Sequence, residues 1–266
     1  MLTRALPLLA AAIISVAGCG ASQEEYMTPS RLANGLVIIL PGIEGESAYN
    51  HDIRDGLLAG GTNQGVMIHN WGWPVPGAGP LINQVDFIGN RLAGARLAQI
   101  VADYQDRYPG RPVHLVGHSG GGGVAVFSAE GLPEGRQVDG LVLLSASISS
   151  GYDLTKALQK CRSGIVNFYN KADAVLLGVG TTVVGNVDGM HGPSAGLIGF
   201  DRPRSGDSAE KKRAYRKVFQ VQVEEGLDEV DAHGAATRSD FVARNVAPWV
   251  YSSAWPAGAS VAGEQE

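Results

Sequence analysis

Ser119 lies in the run Leu115-Val116-Gly117-His118-Ser119-Gly120-Gly121, a Gly-x-Ser-x-Gly pattern. A serine hydroxyl becomes a useful nucleophile only where it projects clear of the backbone and a base can take its proton. Gly117 and Gly121 bring no side chains to the turn, so the backbone can fold tightly around the serine. The chemistry then asks for a carboxylate, a histidine and backbone N–H groups that hold a developing oxyanion. With 37 glycines in the chain, the pattern gains its weight from the elements around it.

The apolar residues 113–116 enter the pattern, and the small residues 120–125 open an amphipathic stretch. This predicts strand, sharp turn and helix, with the first N–H groups of the helix aimed at an anion beside Ser119. Here the sequence resembles the α/β-hydrolase superfamily, whose nucleophile elbow has this pattern. The resemblance extends over about residues 35–250. It implies an α/β fold, a mostly parallel central sheet with helices on both faces.

Residues 36–40 form a continuous apolar run, as in a strand buried on both faces. Pro41-Gly42-Ile43-Glu44-Gly45 follows, where the family has a His-Gly-x-x-Gly loop that donates a backbone N–H to the oxyanion. Pro41 departs from that histidine, but the donor is backbone. The resemblance therefore implies Ile43 and Gly120 as the two donors. Residues 52–58 predict a short helix and residues 65–69 a second core strand, ending at Asn70-Trp71-Gly72-Trp73-Pro74. Ligands bind at such strand ends in open α/β sheets. Trp71 and Trp73 are thus candidates for a substrate pocket, with capping of the core the alternative; His118, inside the elbow, is a further pocket candidate. Asp86 is placed to cap a helix carrying Ala93, Leu97, Ile100, Val101 and Tyr104 on one face. Strands at 138–144 and 164–169 complete an alternation that means parallel βαβ units.

The resemblance places the acid after a strand two units beyond the nucleophile, which is Asp173; Asp153 and Asp188 are the alternatives. Of the six histidines, His118 is expected to point away from Ser119, His69 and His114 lie within strands, and His51 precedes the first helix. His233 follows an alternating strand at 219–223 and a polar loop, and precedes a helix capped by Ser239 or Asp240. It is the expected base, with His191 the alternative. The order Ser119, Asp173, His233 is that of the family. The Gly-rich residues 178–199 are expected to be flexible and to gate the site.

Residues 1–18, with Arg4 and an apolar run at 5–17, are too short to span a bilayer, which takes ~20 residues. Val16-Ala17-Gly18-Cys19 resembles a bacterial lipoprotein signal, which implies a lipid on Cys19 and, with Gly20 following as in the Gram-negative form of the signal, the outer membrane or the periplasmic face of the envelope. An ordinary secretory signal is the alternative. Residues 19–34 then read as lipidated cysteine and polar tether, 35–253 as the α/β-hydrolase domain and 254–266 as a flexible tail. If Cys19 is lipidated, Cys161 has no disulfide partner and reads as a packed small residue. At 266 residues, 44% hydrophobic and 18% charged, one domain suffices. The formal net charge of -5 argues against nucleic acid, and the charged residues 210–217 read as a solvated helix face. No metal-ligand cluster or dinucleotide fingerprint is present. The sequence thus predicts a serine hydrolase of the cell envelope, free of cofactors, acting on a small-molecule ester or acyl substrate and held to a membrane through Cys19. Acyl transfer, thioester hydrolysis or amide hydrolysis would suit the same triad, and a non-catalytic binding lipoprotein is the alternative outside enzymology.

Overall fold

The computed structural model describes residues 23–73, 79–173, 185–224, 232–252 and 255–256. Six strands form one sheet: β1 Leu36–Leu40, β2 Gly65–Ile68, β3 Val113–His118, β4 Val138–Leu144, β5 Cys161–Tyr169 and β6 Val218–Gln222. Their order is β2-β1-β3-β4-β5-β6, and every pairing is parallel. This is the α/β-hydrolase fold that the elbow leads one to expect.

Alternation along each strand divides the core into two layers. Leu36, Ile38 and Leu40 of β1 join a cluster with Leu97, Val101 and Val124, whereas Val37 and Ile39 face Ile53, Leu57, Val242 and Trp249. The first layer is covered by α5, Phe87–Arg107, and α6, Gly120–Gly131; the second by α3, Ala48–Ala59, and the helical turns Ser239–Phe241, Val242–Val246 and Ala247–Tyr251. After α4, Gly79–Val85, the Asp86 side chain accepts from Gly89 N at 2.8 Å and so starts α5. Ala93, Leu97, Val101 and Tyr104 are buried on its inner face. β6 is half-buried, as its alternating sequence predicts.

Two stretches differ from expectation. Residues 23–34, read as a tether, form α1, Gln23–Tyr26, and α2, Pro29–Leu32, the latter with Thr28 as N-cap and Pro29 in its first turn. Met27 and Leu32 pack against the core, Tyr104 Oη donates to Leu32 O at 2.7 Å, and the Arg54 guanidinium lies 4.3 Å from the Tyr26 ring. Met27 and Leu32 thereby lie over Gly65, at the start of edge strand β2. The described part of the Gly-rich stretch, residues 185–199, is pinned to the chain leaving β4. Val187 N donates to Ser147 O at 3.1 Å, Ala195 N to Ile148 O at 2.7 Å and Gly196 N to Ala146 O at 2.8 Å. It carries a short helix, Ala195–Ile198. Backbone pairing of this kind fixes a loop irrespective of its glycine content. Residues 178–184, Cys19 and the tail beyond 256 lie outside the described residues. No helix among the described residues is long and apolar enough to cross a membrane.

Candidate active site

The turn after β3 holds Ser119 at φ 52° and ψ -123°, a conformation that costs an L-residue ~1–3 kcal/mol. Three backbone bonds brace it: Ser119 N donates to Leu144 O at 3.0 Å, and Ser119 O accepts from Ser147 N at 2.9 Å and Gly122 N at 3.0 Å. The glycines permit the bend. A Cβ on Gly117 would lie 2.5 Å from Gly121 O, and one on Gly121 would meet the carbonyl oxygens of Leu40 and Pro41. Thus α6 starts directly against the end of β1. Ser119 is 7% exposed.

The loop after β1 is held beside this turn. Trp71 Nε1 donates to Pro41 O at 2.8 Å and Asn83 Nδ2 to Ile43 O at 2.9 Å. Around Gly120, the side chains of Ile43, Trp71 and Val187 converge within 2.8–3.3 Å of where a Cβ would stand. Ile43 and Gly120, named from sequence as donors, are therefore neighbours at the helix start. Val187, fully buried, was not foreseen. Trp73 departs from its expected place in a pocket: it is 56% exposed, and its Nε1 donates to Asp86 at 3.1 Å.

Asp173 follows β5, and its Oδ2 lies 2.5 Å from His233 Nδ1. The side chains are 2% and 11% exposed, respectively. A proton on Nδ1 donated to the carboxylate leaves Nε2 as the acceptor nitrogen of the neutral ring. The other candidates lie elsewhere. His191 is exposed beside Gly185, Asp188 bonds the Ser149 hydroxyl, and Asp153 caps Thr155 and pairs with Lys211.

His118 occupies a different position from the pocket wall expected of it. Its ring is 1% exposed and packs 4.9 Å from the His233 ring and 5.1 Å from the Tyr49 ring. Neither nitrogen makes a hydrogen bond of acceptable geometry. Burial, and next the neighbouring His233, hold its pKa well below the ordinary value of 6.5, with the His233 backbone acting in the opposite sense. The ring is thus neutral beside His233. Tyr49 had no signal in the sequence, because an aromatic at a helix start has no spacing that marks it. No group of three or more possible metal-ligating side chains occurs among the described residues.

No protein-family model matches the chain, nor does any curated protein. Solved structures do. The dienelactone hydrolase of Anabaena variabilis is 17% identical over 81% of this chain and 85% of that one, with a TM-score of 0.45. A cutinase-like protein from Cryptococcus sp. is 14% identical over 81% and 92%, with a TM-score of 0.42. MenH from S. aureus is 20% identical over 47% of this chain, with a TM-score of 0.30, and the match spans only 42% of that protein. The fold assignment itself rests on the sheet order and on the strand–turn–helix geometry at Ser119.

Proposed function

We propose that the protein is a serine hydrolase that cleaves carboxylic esters through an acyl-enzyme. The observation that carries this reading is the buried Asp173–His233 pair at 2.5 Å, at the same end of the sheet as the strained Ser119 turn. His233 Nε2 takes the Ser119 proton as Oγ attacks the ester carbonyl, and Asp173 stabilises the imidazolium. The N–H groups of Gly120 and Ile43 receive the oxyanion, each worth ~3 kcal/mol in the transition state. The alkoxide leaves with the proton from His233. Water, deprotonated by the same ring, then releases the acid from Ser119 Oγ.

The reading extends to location. A lipid on Cys19 would stand four positions before Gln23, a reach of at most ~14 Å. Met27 and Leu32 sit at Gly65, the first residue of β2, whereas Ser119 and Asp173 follow strand ends at the opposite side of the sheet. An anchor there holds the site facing away from the membrane that bears it. Membrane fractionation of wild type and Cys19→Ala tests the anchor, with release of the variant expected.

Hydrolysis of a series of p-nitrophenyl esters with methanol as competing nucleophile tests the reaction. Free acid as the dominant product is expected. Methyl ester in preference to acid would make the protein an acyltransferase, and no turnover of any ester would remove the ester reading.

A further inference from the structure

Asn170, the residue after β5, has all its polar groups committed and is 1% exposed. Its backbone N–H donates to Gly196 O at 2.9 Å, and its carbonyl accepts from Asp173 N at 3.1 Å. Its side-chain Oδ1 accepts from Ala172 N at 2.9 Å, which closes the turn that presents Asp173. Its Nδ2 donates to Ala232 O at 3.0 Å, on the residue next to His233. Only one orientation of the amide satisfies both side-chain bonds, since one partner is an N–H and the other a carbonyl.

The two turns that must meet come from segments 60 residues apart. They meet at an ionisable pair whose geometry tolerates little displacement, because a misplacement of ~1 Å can cost 10²-fold in rate. We propose that Asn170 is the positioning residue of the Asp173–His233 pair: its Oδ1 sets the acid's turn and its Nδ2 ties the histidine's turn to it. The role rests on the function proposed above, but the geometry it controls can be measured without turnover. Sequence reading passes over the residue because asparagine at a strand end is ordinary turn chemistry.

The substitution Asn170→Asp separates the two bonds. A carboxylate still accepts from Ala172 N but faces the Ala232 carbonyl oxygen with no proton to donate. Asn170→Ser is the second variant; its shorter hydroxyl can serve the Ala172 turn and cannot reach Ala232. Three readouts are compared with wild type: kcat and KM for an ester, the rate of fluorophosphonate labelling, and the deshielded proton resonance of His233 Nδ1–H. Thermal melting shows that each variant is folded. Both variants are expected to lose about 10- to 100-fold in kcat and labelling rate, with KM within about twofold and the ring-proton resonance shifted or lost. Wild-type kcat and an unchanged resonance in both variants, even with a lowered Tm, would overturn the proposal and leave Asn170 a structural residue. If wild type itself is not labelled at Ser119, the proposed function fails, and the ring-proton comparison still decides whether Asn170 positions the pair.

Discussion

Ser119 and Ser145 end neighbouring strands β3 and β4 with the same unusual backbone, φ 52° and φ 47°, the two non-glycine residues of positive φ among those described. Each sends its N–H to the next strand, Ser119 to Leu144 O and Ser145 to Phe168 O, both at 3.0 Å. Their surroundings differ. Ser119 is followed by four glycines and is 7% exposed, and its preceding residue is the buried His118. Ser145 is followed by Ala146, is fully buried with its Oγ unpartnered, and is preceded by Leu144, the register partner of His118. From Ser145 the chain runs under the first turn, where Ser147 N reaches Ser119 O. One bend carries the proposed nucleophile and the other supports that bend through Ser147. In the proposed function backbone strain alone therefore does not mark a nucleophile; the glycine shell, and the Asp173–His233 pair packed against the preceding His118, set Ser119 apart from Ser145.

The largest effect that separates the two turns is chemical. Ser119→Gly should lower ester turnover by about 10⁴-fold or more, while Ser145→Gly leaves it within about twofold, both read from steady-state kinetics. The next is steric. Gly121→Ala places a methyl against the Leu40 and Pro41 carbonyls and is expected to cost about 2–4 kcal/mol by urea unfolding. A third substitution, His118→Leu, gives the Ser119 turn the neighbour that Ser145 has. In the wild type the folded-state pKa of His118 is lowered by burial, and that of His114 is lowered to about 4. The unfolded chain, with histidines near 6.5, therefore binds more protons below that pH. Stability is full above pH 6.5 and falls as pH drops from there through the lowered folded values. His118→Leu should flatten this decline between about pH 6.5 and 4, with the His114 share remaining. The smallest effect is on stability at Ser145. Glycine relieves the positive φ and removes an orphaned hydroxyl, and should raise stability by at most about 1 kcal/mol.

Much of this architecture was legible from pattern. The apolar runs at 36–40 and 138–144 coincide with β1 and β4, and the Asp86 cap, the α5 face and the helix after Ser119 follow from composition and spacing. The acid and histidine were named by chain order, and Asp173 and His233 lie together. Other parts had no periodic signal. α1 and α2 are four residues each, too short for an apolar repeat, and their packing at Gly65 is a contact between segments distant in the chain. The loop at 185–199 is fixed by backbone-to-backbone bonds, which leave no trace in side-chain composition, so its glycines suggested mobility. Trp73 illustrates a third limit. A strand end shows where a pocket belongs, not which of two nearby tryptophans turns inward.

The most direct test of the proposed chemistry is the rate of fluorophosphonate labelling with mass mapping of the adduct, for wild type, Ser119→Ala, His233→Ala and His191→Ala. The account predicts a single adduct on Ser119, lost in Ser119→Ala, slowed by about 10³-fold or more in His233→Ala and unchanged in His191→Ala. Labelling that survives without His233, or that requires His191, would contradict it.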